Sequence, residues 1–415
     1  MAPRTRHARS RVPSSVLLAL AVLAFVSLGL PDGVLGVAWP SVMRTFGLPL
    51  SGLGILLAAA TGGYLASSFA SGALVARGGV GRLLVWSSAA TVASTLGYAL
   101  APAWPVMIVG AALMGLGAGA IDAGINAYAA RNFSARMVTW LHACYGVGAM
   151  LGPLVMTAVM AQGLSWRWGY GLLGAALAGM TLSFRLSTDR WECRGQGAEG
   201  PLRDAGAPDE SLLGALRRLM VWMSMALFFV YTGLEVTAGQ WTYSLLTEAR
   251  GVEMVTAGAW VSAYWGSLAV GRVVVGSLTG RFTATTLLRI SMGLAPVGAL
   301  LLWSDHGRLA SLLGLLVLGC CFAPIYPLLI SETPGRLGRG SVGHAIGFQV
   351  AAAYLGAATL PGSAGLLARW TSLEVIGPFL LGGTLLLLAL HEAALRRATL
   401  ATDTAFIGRS REARA

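Results

Sequence analysis

Along this chain the apolar residues neither alternate with polar ones at strand spacing nor keep to one helical stripe. They come in unbroken stretches of roughly 20 residues, the length a helix needs to cross the hydrocarbon of a bilayer. Such stretches lie near 16–40, 51–76, 83–101, 105–129, 138–161 and 168–186, and again near 218–246, 255–278, 286–303, 309–330, 342–367 and 373–394. Between the two sets, residues 187–217 are rich in Gly, Pro and charge and read as a flexible linker. The pattern predicts an all-α membrane protein of about twelve transmembrane helices in two pseudo-symmetric halves. The expected order is a tail over 1–15, a six-helix bundle over 16–186, the linker over 187–217, a second bundle over 218–394 and a tail over 395–415.

Composition agrees with lipid as a solvent. Apolar residues make up 56% and charged residues 11% of the 415, against about a quarter charged in soluble domains. The net charge of +12 raises the question of nucleic acid, but its placement answers it. With both termini on one side, 23 of the 29 basic residues, all Arg, fall in the tails, the linker and alternate loops. Five, Arg44, Arg167, Arg250, Arg308 and Arg369, fall on the opposite side, and Arg272 lies inside a helix. That asymmetry is the positive-inside rule, so the charge is topological and both termini are expected to be cytoplasmic. No nucleic-acid partner is expected.

The apolar run after Arg4, Arg6, Arg9 and Arg11 resembles a signal peptide but continues to Trp39 without a cleavage pattern, as an uncleaved first span does. The absence of lysine excludes a P-loop, and with it an ATP-driven pump. Cys144, Cys193, Cys320 and Cys321 show neither C-x-x-C nor zinc spacing, so no disulfide, metal or cofactor is expected.

The halves repeat. Gly72-x-x-x-Ala76-Arg77 recurs as Gly276-x-x-x-Gly280-Arg281, 204 residues on, and Leu83-Leu84 and Leu287-Leu288 keep that offset. Gly148-x-x-x-Gly152-Pro153 recurs as Gly356-x-x-x-Leu360-Pro361. A duplicated bundle points to an alternating-access carrier with its site between the halves.

The stretch from Ser71 to Arg82 resembles the loop motif of the major facilitator superfamily, over a chain that matches the superfamily's organisation throughout. The position ahead of the first arginine, acidic in the superfamily, is Ala76 here and Gly280 in the other half. Gly72, Arg77 and Arg82, with Gly276 and Arg281, are therefore the expected gating residues. Within the superfamily the chain is most similar to the fucose–proton symporter-like group. Pro31-Asp32-Gly33, Asp122-Ala123-Gly124-Ile125-Asn126, the run from His142 to Gly148, Gly233-Leu234-Glu235 with Gln240-Trp241, and Ala323-Pro324-Ile325-Tyr326-Pro327 carry that resemblance. It implies that the acids of the first and fourth spans, Asp32 and Asp122, couple protons and bind sugar. It also implies a bacterial inner membrane and a monomer.

Ionisable groups at membrane depth cost about 2.5–3.5 kcal/mol each even on insertion scales, so those retained mark function or a built polar contact. Asp32 follows Pro31, which breaks the helix and frees backbone groups beside the acid. It serves as a solute or proton site, or simply satisfies the break. Asp122 and Asn126, four residues apart, share a helix face, as a proton-and-solute pair or as a clamp between helices. Glu235, Gln240 and Trp241 supply polar groups and a ring for a solute pocket, although Trp241 also suits the interfacial aromatic belt. His142, one turn before Tyr145, is a further pocket or relay candidate. Arg272 either snorkels or pairs with Glu235 or Asp122, and Glu332, Arg336 and Arg339 belong to an inner loop.

The function expected is secondary transport of a small polar organic solute, possibly a sugar, by proton-coupled symport. The coupling ion is a proton, with sodium left open. The alternative is a drug or metabolite exporter of the same fold, since Gly148-x-x-x-Gly152-Pro153 resembles part of an antiporter signature. A membrane enzyme or sensor lacks support, because no catalytic motif or signalling domain is present.

Overall fold

The structure, a computed structural model, describes residues 15–133, 135–191, 214, 216–304, 307–337 and 342–412. The tail over 1–14 and most of the linker, with Cys193, lie outside these residues, as does Arg339. Every long element among them is a helix: α1 Ser15–Gly29, α2 Val34–Phe46, α3 Gly52–Leu100, α4 Trp104–Asn132, α5 Ala135–Ala161, α6 Trp166–Leu186, α7 Leu219–Ser244, α8 Met254–Leu278, α9 Ala284–Ser304, α10 Arg308–Phe322, α11 Ile325–Leu337, α12 Val342–Trp370 and α13 Ile376–Glu412. A π turn, Leu245–Ala249, extends α7. Ten stretches among the described residues are long and apolar enough to cross a membrane.

Two of the ten depart from a simple helix. α1 and α2 form one candidate, Ser15–Phe46, broken at residues 30–33 as Pro31 predicts. The 49-residue α3 joins two expected spans. It reverses at Gly79, whose φ of 77° only glycine adopts without strain. Contacts with α4 show the reversal: Gly63 meets Ala112 and Tyr64 meets Gly119, whereas Tyr98 meets Gly110 and Leu83 meets Gly124. The first limb therefore runs with α4 and the second against it. α6, with Arg167 and Arg185 near its ends, is 21 residues long but not among the ten. The expected C-terminal tail is helical, since α13 continues to Glu412.

Glycine sets the spacing of the helices. A methyl at Gly148 would lie 1.9 Å from the Val26 carbonyl, and one at Gly152 2.1 Å from that of Leu30, so α1 rides directly on α5. Gly115 sits as closely on the Ala60 carbonyl, locking α4 to α3. The glycines that resemble an antiporter signature are thus occupied in packing. A second break, at Ala323–Pro324, separates α10 from α11 within one candidate span.

Helices α1–α6 and α7–α13 meet along three contacts, α2 with α7, α3 with α12 and α5 with α8. At the end opposite the termini this seam is shut. Gly54 lies against Gly362, Gly36 against the Gln240 backbone and Thr157 against Gly258. Arg44 bonds Glu248 across it at 2.9 Å, an exposed pair worth little by itself. Toward the terminus-bearing end, methyls at Gly72 and Gly276 would meet only open space. Outside, Phe69, Trp86, Leu100, Val109, Trp168 and Trp370 are exposed, the surface that lipid covers.

Candidate solute site

The break between α1 and α2 brings Asp32 to the middle of the bundle. Its backbone is held by a turn in which the Asp32 N–H donates to Gly29 at 3.1 Å. The Asp32 carboxylate accepts a hydrogen bond from the Tyr145 hydroxyl of α5. Across the seam, Gln240 Nε2 donates to the Asp32 carbonyl at 2.6 Å. This is the polar repair that a broken helix at membrane depth requires.

Asp122 lies on α4, which the two limbs of α3 flank. Asn126 Nδ2 donates to it at 2.8 Å, the i, i+4 contact the sequence predicts, and the Tyr64 hydroxyl donates to it from α3. Tyr64 in turn stacks on Tyr354 of α12 with ring centroids 3.7 Å apart. The third acid, Glu235 of α7, is buried and accepts from Tyr231 one turn earlier. Tyr264 of α8 donates to the Glu235 carbonyl at 2.8 Å. Asp122 and Glu235 both lie within electrostatic reach of Asp32, so the three acids form one centre.

Arg272 supplies the opposing charge. Its guanidinium stands over the Tyr145 ring, 5.6 Å from the centroid, within electrostatic reach of Glu235 and Tyr231. It makes no ion pair within 4 Å of Glu235 or Asp122 among the described residues, so its direct contact is with the Tyr145 ring.

The other expected residues divide. Gln240 joins the centre, while Trp241 does not. It is fully buried, donates to the Pro361 carbonyl at 2.8 Å and packs on Gly365. It is therefore neither a pocket wall nor a belt residue, because its ring fills the contact between α7 and α12. His142 stands edge-on to Phe25 at 5.0 Å and makes no hydrogen bond among the described residues. Gly72, Arg77, Arg82, Gly276 and Arg281 lie exposed at the terminus-bearing end, far from the acids along the helices. Arg336 lies 3.8 Å from Glu332.

Sequence reasoning missed the tyrosines. Tyr231 was findable, four residues before Glu235 on the same face. Tyr64 and Tyr354 carry no local signal, since only tertiary packing brings them to Asp122. Trp265 was also missed. Its ring lies on Gly33 and Gly239, and its N–H has no partner.

Three acids and one arginine kept inside membrane-length helices mark a built polar centre, as membrane transport proteins have. A model described as the Major Facilitator Superfamily matches residues 20–361, and the chain belongs to that superfamily of transporters. It is 23% identical to Bypass of stop codon protein 6 of Saccharomyces cerevisiae over 398 residues, 86% of this chain and 77% of that protein. It is 21% identical to the Glucose/mannose transporter GlcP of Bacillus subtilis over 232 residues, 55% and 57% of the two. Among solved structures, the nucleoside transporter NupG matches with a TM-score of 0.72 at 13% identity, covering 92% of this chain and all (100%) of that one. A D-xylose-proton symporter matches with 0.68 at 15%, covering 90% and 96%. At these identities the solved structures establish the fold.

Proposed function

We propose that the protein is a proton-coupled symporter of a small, neutral, polar organic solute such as a sugar. One observation carries this reading: three acids, each bonded by a tyrosine, share the middle of the bundle with a single arginine. Arg272 can neutralise one of the three. The others are cheapest in the membrane when protonated, so their protons can come and go with the solute. Asp122 takes the proton, and Asp32, which touches both halves, links proton to solute. Asn126, Glu235, Gln240 and His142 line the path, while Trp241 holds α7 to α12.

The two six-helix halves, 16–186 and 218–394 joined by the linker 187–217, rock about this centre with twelve passes. Gly72, Arg77 and Arg82, with Gly276 and Arg281, gate the terminus-bearing side, without the superfamily's usual acid. The resemblance to the fucose–proton symporter-like group and the likeness to GlcP support a sugar. Residence in an inner membrane with cytoplasmic termini, as a monomer, belongs to the same reading.

The test is proton movement in proteoliposomes holding a pH-sensitive dye, challenged with pooled neutral sugars. Solute-driven acidification that Asp122→Asn abolishes supports symport. Sugar transport unchanged in Asp122→Asn refutes the proton role, and resistance to toxic compounds without sugar movement turns the reading to export.

A further inference from the structure

The shut end of the seam holds a chamber of about 190 Å³ lined by Ser41 and Arg44 of α2, Met160 of α5, Tyr243 of α7, Glu248 of the π turn and Met254 of α8. It lies on the helices that close the seam below it, one turn further out. Met160 is three residues beyond Thr157, Tyr243 three beyond Gln240, and Met254 four before Gly258.

Beneath it runs a row of buried atoms with no hydrogen-bond partner: Thr157 Oγ1, Gln240 Oε1 and Trp265 Nε1. Thr157 faces Gly258, the Gln240 side chain reaches the Asp32 carbonyl, and Trp265 faces Gly33 beside Asp32. Thr157 and Gln240 thus lie one turn inward of chamber residues Met160 and Tyr243, and Gln240 and Trp265 lie beside Asp32. It offers a donor, an acceptor and a hydroxyl that serves as either. Such groups exchange hydrogen bonds with a passing hydroxyl, and none of them is charged.

The chamber's chemistry matches. Its two charges, Arg44 and Glu248, are paired at 2.9 Å, which leaves no net charge to draw an ion. Its lining combines the hydroxyl-bearing Ser41, Tyr243 and Thr247 with the apolar Met160, Val252 and Met254. A volume near 190 Å³ equals about six waters, well below the roughly 300–1,000 Å³ of drug-sized sites. That scale is a monosaccharide's, and a sugar presents hydroxyls at its edge and C–H groups on its face.

We propose that this chamber is a second binding site, at the end opposite the termini, for a neutral hydroxyl-bearing solute of monosaccharide size, which passes along Thr157, Gln240 and Trp265 to Asp32 when the seam parts. The proposal rests on the reading of the chain as a carrier of such solutes.

The experiment is thiol labelling in nanodiscs. Ser41→Cys, and independently Thr247→Cys, is placed in a background with Cys144, Cys193, Cys320 and Cys321 replaced by serine. Alkylation by a polar maleimide is timed with D-glucose, D-mannose, D-xylose, D-mannitol or uridine, each also scored for binding by equilibrium dialysis. A compound at about ten times its Kd should slow labelling about tenfold, as occupancy requires. The slowing should persist when Asp32→Asn and Asp122→Asn disable the central site. If it vanishes with them, the protection comes from the centre, and the chamber proposal fails while the carrier reading stands. Binding without slowing at either position also overturns the proposal alone. If no compound binds the unsubstituted protein, the carrier reading falls and the proposal with it.

Discussion

Two glycines make the shut seam a measurable equilibrium. A methyl added at Gly54 would lie 2.8 Å from the Gly362 Cα, whereas one added at Gly362 would lie 3.3 Å from the Gly54 Cα. Ordinary carbon contact begins near 3.4 Å, so Gly54→Ala must push α3 and α12 apart by about 0.6 Å and Gly362→Ala by about 0.1 Å. Overpacking against backbone, which cannot turn aside, costs about 1–3 kcal/mol. The cost falls only on the form in which the seam is shut. Gly54→Ala should therefore raise the open-to-shut ratio about 5- to 150-fold, while Gly362→Ala should hardly move it. Both gain the same helix propensity over glycine, about 1 kcal/mol, so that contribution cancels in the comparison. Spin labels at Gln162 and Ser372, exposed on opposite sides of the seam, report the distance by pulsed electron resonance. A Gly54→Ala distribution identical to wild type, or an equal shift from Gly362→Ala, would falsify the reasoning.

Tyr145→Phe removes the hydroxyl that serves Asp32. A bond to a charged group is worth about 1.5–3 kcal/mol, so solute affinity in proteoliposomes should fall about 10- to 150-fold, and an unchanged affinity would show the bond idle. Arg250, with a side chain 4% exposed, bonds both oxygens of Glu374, the Leu302 carbonyl at 2.9 Å and Ser311 at 3.0 Å. Arg250→Ala should cost about 1–3 kcal/mol, most of it from the buried partners because water replaces the exposed Glu374 end. Lysine should not restore the melting temperature, since it lacks the fork.

At the start of α8, Glu253 accepts from the N–H groups of Val255 and Thr256, both at 3.0 Å, which holds its carboxyl below the usual glutamate range. A depressed acid stabilises above its unfolded value, and the gain is lost as pH falls through the folded one. Amide protection in the first turn of α8 should drop in acid. Glu253→Gln should remove that dependence, and a Gln variant with the same acid response would assign it elsewhere.

Much of the fold was legible because lipid leaves the sequence so little freedom: apolar length alone marks the membrane-crossing helices and the all-helical class. The break at Asp32 was readable from Pro31, and the Asp122–Asn126 contact from helical spacing. Trp241 misled because a tryptophan near a helix end has the same local signature in a belt, a pocket or a helix contact. Only the position of Gly365 on α12 decides among them. The partners of Asp122 were hidden for the converse reason, since Tyr64 and Tyr354 are ordinary aromatics until packing stacks them.

Each acid keeps its tyrosine within its own set of helices: Tyr145 with Asp32, Tyr64 with Asp122, Tyr231 with Glu235. These pairs move as rigid cargo whichever way the bundle tips. Around these acids, the contacts between the halves include the amide of Gln240 on the Asp32 carbonyl, the guanidinium of Arg272 over Tyr145, and the ring of Tyr354 on Tyr64. A change of tilt therefore acts on these three side chains, none of them acidic, before it reaches the bonds that hold the acids. The bonds that seat each acid are thus separate from the contacts that a change of tilt would break first.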